Sequence, residues 1–315
     1  MNLRFVEAFY WVASLRSVTR AAEKLFLTQS AMSSRIAALE EELGVLLLDR
    51  RNKQFRLTAA GTRFLVHAER LLQLQRDVKA EMGAGAPLAV SMRIGAIESV
   101  LHSWLIPWIE KLRADHPGLE LELTVETTPI LSEQVGRGTQ DIVFAALPAS
   151  ADGVRTKALP PMEMVFVGNT QAHRKRKYAL ADLAELDLLT FQRGSLPHVA
   201  LLDLLRANGL EPRRVHTISS ISAMVQLVHG GFGVATLPRI AVERLVTFPN
   251  LKRLPCEVAL PPLSIHASYR SDPSSAAVDT VVRSALAFVD AMSAPRHGAK
   301  GAARHPKAAS KKSMS

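Results

Sequence analysis

Residues 17–44 constrain the fold most strongly, because their pattern predicts two short helices separated by a brief turn. Ala21 and Ala22 in the first helix are small enough for the second helix to cross it closely. Leu25 and Ile36 are spaced so that their side chains close a small core between the two helices. These are the physical requirements of a helix-turn-helix, whose second helix enters the major groove of DNA.

The second helix of this pair carries short polar side chains in its N-terminal half. Such side chains allow close approach to the major groove, and their hydroxyl groups can bond to bases or phosphates. The free amides at a helix N-terminus also favour phosphate. We therefore predict DNA contacts from the capping residues of both helices and from the exposed face of the second: Ser17, Thr19, Thr28, Gln29, Ser30, Ser33, Ser34 and Arg35.

The flanking segments complete a small helical domain. Residues 3–13 carry apolar side chains at helical spacing, which predicts a first helix. Residues 46–57 have apolar ends around a polar centre, which predicts a two-stranded wing. Basic residues of the wing extend the predicted DNA contacts: Arg50, Arg51 and Lys53.

A long helix is predicted from Ala59 to about Met82, with Thr58 as its cap. Its apolar residues step alternately by four and three positions, as in the seam of a coiled coil, and this predicts dimerisation. The alternative is a helix that packs against its own domain. Residues 83–87 then predict a flexible hinge. The predicted seam residues, which flank the polar Gln75, are Phe64, Ala68, Leu71, Val78 and Met82.

From residue 88 onward, short apolar strands alternate with helices. This alternation predicts a largely parallel sheet, with ligand sites at the C-terminal ends of its strands. The predicted strands cover residues 88–95, 119–126, 141–147, 162–168, 188–191 and 234–237.

The charge is distributed unevenly. The net charge of +10 alone indicates an anionic partner such as nucleic acid. However, residues 294–315 contain six basic and no acidic side chains, whereas residues 91–293 are balanced. We predict that 294–315 is a disordered basic tail, which is either simply solvated or a non-specific clamp on DNA phosphates. The case for DNA binding therefore rests on the pattern of residues 17–44.

Three motifs in the N-terminal segment resemble the winged helix-turn-helix of LysR-type transcriptional regulators. They are Thr19-Arg20-Ala21-Ala22, Leu39-Glu40-Glu41-Glu42-Leu43-Gly44 and Leu57-Thr58-Ala59-Ala60-Gly61. Ser30 stands where the family usually has proline, which alters the rigidity of the helix start. Leu48 stands where phenylalanine is usual, which is an apolar exchange in the core. Segments 138–142 and 224–238 extend the resemblance to about residue 292.

The resemblance implies an α plus α/β fold whose second part resembles periplasmic binding proteins. It also implies a homodimer or homotetramer that binds double-stranded promoter DNA, responds to a small-molecule effector and contacts RNA polymerase. The implied units are a winged helix-turn-helix (1–58), a dimerising linker helix with hinge (59–87), an effector domain (88–293) with lobe I (88–160 and 268–293) and lobe II (161–267), and the tail (294–315).

In this family the effector lies between the two lobes, near strand ends and helix N-termini. Helix N-termini with hydroxyl groups suit an anion, and Arg193 adds positive charge, whereas Glu98 opposes an anion. We therefore predict a small carboxylate or a similarly polar effector. The alternative is that these residues only cap loops. The matching positions are Ile97, Ser99, Val100, Thr128, Gln192, Arg193, Ser195 and Ser222.

Two other classes of function stay open at this stage. One is a solute-binding-like sensing module without sequence-specific DNA binding, and the other is an enzyme on the same α/β fold. An enzyme needs a nucleophile, an acid–base pair or a metal cluster, and no residue spacing supports one. We predict no cofactor and no metal site. The single Cys256, the lack of a signal-peptide core and the lack of a membrane-spanning apolar stretch predict a cytoplasmic protein that does not enter membranes.

Overall fold

The N-terminal module is helical, with a short β-ribbon, in the computed structural model, which describes residues 1–49, 55–82, 91–244, 250–270, 272–273 and 276–293. Its elements are α1 Leu3–Leu15, α2 Val18–Lys24, α3 Gln29–Leu43, β1 Leu48–Asp49, β2 Arg56–Leu57 and α4 Ala59–Glu81.

The starts of α2 and α3 are set by residues that the sequence predicted as caps. Ser17 Oγ accepts a hydrogen bond from the Arg20 amide at 3.3 Å, so Ser17 rather than Thr19 caps α2. Thr28 caps α3, and Gly44 ends it with a left-handed φ of 66°. These local interactions determine where the helix-turn-helix begins and ends.

The first half of α4 packs against α1. The rings of Phe64 and Phe9 lie 5.3 Å apart, and Ala68 and Leu72 are fully buried in the core of the module. The prediction that Ala68 lies in an intermolecular seam is therefore wrong, because it is covered by its own chain. Beyond this point the apolar side chains of Leu74 and Val78 are exposed to solvent, as is that of Met82 directly after the helix. The predicted hinge at 83–87 lies outside the described residues.

The second part of the chain forms two β-sheets flanked by helices. Lobe I begins with β3 Ser91–Ala96, α5 Glu98–Val100, a π-helical turn Leu101–Leu105, α6 Ile106–Asp115, β4 Glu120–Val125, α7 Thr128–Arg137, β5 Ile142–Ala145 and β6 Val154–Met162. Lobe II contains β7 Met164–Asn169, α8 Leu180–Ala184, β8 Asp187–Thr190, α9 Leu196–Ala207, β9 Arg214–Thr217, α10 Ile221–His229, β10 Val234–Pro238, α11 Arg239–Arg244 and β11 Leu251–Leu254. The chain returns to lobe I through β12 Leu263–Arg270 and α12 Ala277–Ser293.

Both sheets are mixed, so the prediction of a largely parallel sheet is only partly correct. The strand orders are β4-β3-β5-β12-β6 in lobe I and β11-β7-β10-β8-β9 in lobe II. β3 pairs in parallel with β4 and β5, and β8 does so with β9 and β10. β7 is the first strand after the chain crosses into lobe II, and β12 is the first strand after it returns to lobe I. Both run antiparallel to their neighbours.

The return to lobe I lies earlier than the predicted boundary at residue 268. All of β12 belongs to the lobe I sheet, and its pairing begins with Leu263 opposite Met162. Since β6 extends to Met162, the outward crossing also lies slightly later than residue 160. Two strand connections, between β6 and β7 and between β11 and β12, therefore join the lobes.

Trp104, Trp108 and Phe144 form the centre of the lobe I core. The ring of Phe144 lies 5.0 Å from that of Trp104 and 5.7 Å from that of Trp108, both edge-on. Within the ranges described, no helix has the length and apolar character needed to cross a bilayer.

Candidate DNA-binding surface and effector cleft

The polar side chains predicted on the second helix lie on one exposed face of α3. Gln29, Ser30, Ser33 and Ser34 are exposed, and Arg35 is half-exposed. The opposite face is held in the core by Met32, Ile36 and Leu39. The helix therefore presents hydroxyl, amide and guanidinium groups outward on a fixed base.

The predicted contacts before α3 divide into exposed and structural groups. Thr19 is exposed, whereas Ser17 is half-buried and its hydroxyl is engaged in the cap of α2. Thr28 Oγ1 accepts from the Ala31 amide at 3.2 Å and lies 3.0 Å from Ser30 Oγ. The predicted wing residues Arg50, Arg51 and Lys53 lie outside the described residues.

Glu40 attaches the wing to α3, a role that sequence reasoning missed. Its Oε1 accepts hydrogen bonds from the amides of Leu47 at 2.8 Å and Leu48 at 3.0 Å, and the residue is only 5% exposed. Glu40 was noted only as part of a motif, because an acidic residue in a helix usually faces solvent. The bonds fix the start of β1 relative to the exposed face of α3.

Gly61 allows α4 to approach the wing backbone. A Cβ atom at this position would lie 2.1 Å from the carbonyl oxygen of Leu47. The neighbouring Thr58 Oγ1 donates to the Leu46 carbonyl at 2.7 Å and accepts from the Gly61 amide at 2.9 Å. The start of α4 and the start of the wing are therefore in direct backbone contact.

A cleft with a volume of about 530 Å³ lies between the lobes, which is the size of a small-molecule site. The lobe I wall comes from residues 97–99, 125–129, 146–147 and 263, and the lobe II wall from residues 191–197 and 219–220. Both walls lie where strands end and helices begin, as the alternating pattern predicted.

Six of the eight predicted effector residues line this cleft. They are Ile97, Ser99, Thr128, Gln192, Arg193 and Ser195. Two predicted positions do not. Val100 is fully buried in the lobe I core, and Ser222 is exposed to solvent outside the cleft lining. At the start of a helix, successive residues face different directions, so residues 100 and 222 diverge from their neighbours.

Ser99 is the hydroxyl best placed to receive a ligand. It lines the cleft with only 3% of its surface exposed. Across the part of the chain that the structure describes, Ser99 Oγ has no hydrogen-bond partner. Thr128 differs, because its Oγ1 already accepts from the Ala146 amide at 3.3 Å. A buried hydroxyl of this kind gains most from a polar ligand.

On the lobe II side, the first turn of α9 is ordered by His198. Its Nδ1 accepts from the Gly194 amide at 3.3 Å, and its own amide donates to Ser195 Oγ at 3.4 Å. Burial, aided by the charge of Arg193, lowers the pKa of His198. The imidazole is thus kept neutral, as an accepting nitrogen requires, and the N-terminus of α9 stays directed towards the cleft.

The charged side chains of the cleft are Arg193 on lobe II and Glu98 and Glu126 on lobe I. Glu98 does not simply face the cleft. Its Oε2 accepts from the Ile221 amide of α10 at 2.6 Å and lies 3.5 Å from His102 Nε2. Sequence reasoning counted Glu98 only as an opposing charge, because its partner is 123 positions away.

Lobe I also contacts the DNA-binding module through a buried carboxylate. Asp141, just before β5, forms an ion pair with Lys24 of α2. The guanidinium of Arg93 lies 3.0 Å from Asp141 Oδ1, and the Arg93 amide donates to Oδ2 at 2.9 Å. Burial alone would raise the pKa of Asp141, but the charges and hydrogen bonds of Lys24 and Arg93 lower it below its ordinary value.

Weaker contacts surround this ion cluster. Arg270 Nη1 donates to Ser14 Oγ at 3.2 Å, and Arg16 pairs with Asp152 at 3.0 Å on the exposed surface. A Cβ atom on Gly138 would meet the side chain of Leu15 at 2.7 Å, so the end of α7 and the end of α1 pack closely here.

Two family models match the sequence. The model described as bacterial regulatory helix-turn-helix protein, lysR family, matches residues 3–62. The model described as LysR substrate binding domain matches residues 86–289.

Curated relatives and solved structures match over most of their length. A probable hydrogen peroxide-inducible genes activator from Mycobacterium avium is 33% identical over 75% of this chain and 78% of its own. The regulator BenM from Acinetobacter baylyi is 28% identical over 81% and 85%. The structure of a Corynebacterium glutamicum OxyR C206 mutant is 26% identical, covers 92% of this chain and 95% of its own, and superposes with a TM-score of 0.53.

Proposed function

The chain belongs to the LysR family of transcriptional regulators, and on this premise we propose how its own residues recognise DNA and which effector its cleft binds. The protein is a DNA-binding regulator with an effector-binding domain. We propose that the exposed face of α3 recognises the operator. The observation that carries this proposal is the fixed polar face from Gln29 to Arg35, opposite the buried Met32 and Ile36.

The subunits of a family oligomer place two recognition helices on one DNA. We propose that the exposed apolar end of α4, with Leu74, Val78 and Met82, contributes to the dimer contact together with half-buried Leu71. Two-fold symmetry then requires two related half-sites. A homodimer or homotetramer of this kind acts on promoter DNA in the cytoplasm, where RNA polymerase is its natural partner.

Replacing Arg35 with alanine tests the proposed role of α3. We expect operator affinity to fall by about tenfold to a hundredfold, because one base contact is worth about 1–3 kcal/mol, while non-specific affinity falls much less. Ser33→Ala should likewise weaken binding to the operator more than binding to random DNA. Gel-shift titration of operator and random duplexes at several salt concentrations measures both affinities.

The matched control is Arg113→Ala, which removes the same charge from an exposed position on α6 of lobe I. It should leave both affinities unchanged. Equal losses on operator and random DNA for Arg35→Ala contradict the placement of α3 in the major groove.

For the effector, we propose a small carboxylate with an apolar body. The open hydroxyl of Ser99, the N-termini of α7 and α9, and Arg193 support the carboxylate. Apolar side chains of the cleft support the apolar body: Ile97, Val125, Leu147, Phe191 and Leu263.

Hydrogen peroxide is the other stimulus suggested by a relative's name. Peroxide acts on proteins chiefly through thiols, and a disulfide needs two of them. This sequence contains one cysteine, Cys256, which is half-buried and lies outside the cleft lining. An intrachain disulfide switch is therefore excluded, and the cleft is the better-supported site of response.

Ser99→Ala tests the effector site. We expect the affinity for a responding organic acid to fall by about tenfold, because one charge-assisted hydrogen bond to the ligand is lost. Isothermal titration against a panel of organic acids measures this. Ser222→Ala removes the same hydroxyl at the start of α10, outside the cleft, and should have no effect. The carboxylate proposal fails if no acid binds, or if Ser99→Ala and Ser222→Ala lower the affinity for the acid equally.

A further inference from the structure

Glu98, a residue of the cleft wall, bridges the two lobes. It belongs to α5 of lobe I, and its Oε2 accepts from the amide of Ile221, the first residue of α10 in lobe II, at 2.6 Å. Ser220 Oγ caps the same helix by accepting from the Ala223 amide at 3.4 Å. The Ser220 cap thus leaves the Ile221 amide without a partner in its own helix, and Glu98 of the cleft wall accepts its hydrogen bond.

The first amides of a helix favour an anion through their free N–H groups and the helix dipole. At α10 this preference is already satisfied by a carboxylate of the protein. The carboxylate has a second neighbour, His102 Nε2, at 3.5 Å. A ligand carboxylate that reached the same amide would have to displace Glu98 or lie beside its negative charge.

The remaining charges of the cleft do not compensate for a second ligand carboxylate. Among the lining residues of this described cleft, Arg193 is the one cation, whereas Glu98 and Glu126 both carry carboxylates. One ligand carboxylate can meet Arg193 and the N-terminus of α9. A second one finds no other cation among these lining residues, and the charges of Glu98 and Glu126 oppose it.

We propose that Glu98 is a specificity-determining residue of the cleft, which selects monocarboxylates and excludes dicarboxylates by occupying the lobe II amide with its own carboxylate. This inference rests on the proposed function of the cleft as a carboxylate site. It names the class of acid that the site accepts and assigns the selection to one side chain.

Hexanoate and hexanedioate test the proposal, because they have the same chain length and differ by one carboxylate. Isothermal titration of the full chain should give at least tenfold tighter binding of hexanoate. In Glu98→Ala the preference should fall at least tenfold, since hexanedioate gains the freed amide. Glu98→Gln keeps an oxygen that can accept from Ile221 but loses the charge, so it should lower the preference less.

The matched control is Glu126→Gln, which removes an equal charge from the cleft without touching α10. It should keep most of the preference for hexanoate. The proposal is overturned if the unmodified chain and the three variants show the same preference. It is also overturned if neither acid binds to any of the four proteins.

Hydrogen exchange separates this inference from the proposed function. In the free protein, Glu98→Ala should speed exchange of the Ile221 amide by about tenfold, whether or not an acid binds. Unchanged exchange overturns the bridging role of Glu98. Conversely, acid binding that depends on Ser99, with an unaltered preference in Glu98→Ala, leaves the effector cleft standing and refutes only the selection by Glu98.

Discussion

Asp141→Asn should lower the free energy of unfolding by about 3–5 kcal/mol, because it leaves two cations without their shared counter-charge. The side chains of Lys24, Arg93 and Asp141 are 15%, 11% and 6% exposed, so water screens the cluster poorly. Urea unfolding followed by tryptophan fluorescence measures the change. Lys24 Nζ lies 5.0 Å from the ring centre of Trp11, which makes the emission sensitive to this contact.

Asp152→Asn is the matched control for this prediction. Its partner Arg16 and Asp152 itself are 69% and 82% exposed, so the same change should cost less than about 1 kcal/mol. Lys24→Met should have an effect between the two, because Asp141 keeps its bonds to Arg93. Equal effects of Asp141→Asn and Asp152→Asn contradict a stabilising role for the buried cluster.

The same cluster predicts a direction of pH dependence. Because the pKa of Asp141 is lowered in the folded protein, the unfolded chain binds a proton at a higher pH than the native chain does. The stabilisation is fully present above the ordinary aspartate pKa of about 3.9 and is lost as the pH falls below it. In Asp141→Asn this part of the acid dependence should disappear.

Gly61→Ala should destabilise the DNA-binding module by about 3 kcal/mol, at the upper end of the cost of overpacking. The added Cβ would lie 2.1 Å from the Leu47 carbonyl oxygen, and a backbone atom cannot move away by changing rotamer. Because Leu47 is also held by Glu40, the displacement should spread to α3. We therefore expect operator affinity to fall by more than about a hundredfold in gel shifts.

Gly230→Ala is the control, because it adds the same methyl group at a glycine where no atom of the described residues lies unusually close to the new Cβ. Its added Cβ would lie 3.5 Å from the nearest backbone oxygens, those of Gln226 and Leu227, which is an ordinary contact distance. Operator affinity should be unchanged in this variant. Retained operator affinity in Gly61→Ala would mean that the wing can shift away from α4 without disturbing the recognition helix.

The features that the sequence predicted well depend on neighbours in the chain. The caps at Ser17, Thr28 and Thr58 act over a few residues, so spacing alone locates them. Most of the cleft was also predictable, because strand ends and helix starts gather at one edge of a sheet. The prediction failed one or two residues beyond the lining, at Val100 and Ser222, where the turn of the helix decides which way a side chain faces.

The features that were missed depend on contacts between distant parts of the chain. The 3–4 spacing of α4 indicates an apolar face but not which surface packs against it. At Ala68 that surface belongs to the core of the same module, which includes α1. The antiparallel strands β6 and β12 pair with each other although more than a hundred residues separate them in the sequence. The partners of Asp141 and Glu98 are equally remote, being 117 and 123 positions away for Lys24 and Ile221.

The contacts that attach the DNA-binding module to the rest of the protein have a mechanical consequence. Every such contact described above, at Asp141, Asp152, Gly138 and Arg270, belongs to lobe I. Lobe II is attached to lobe I through the two strand connections and the cleft. We therefore expect that a ligand which draws the lobes together moves lobe II, while lobe I keeps its position relative to the DNA-binding module.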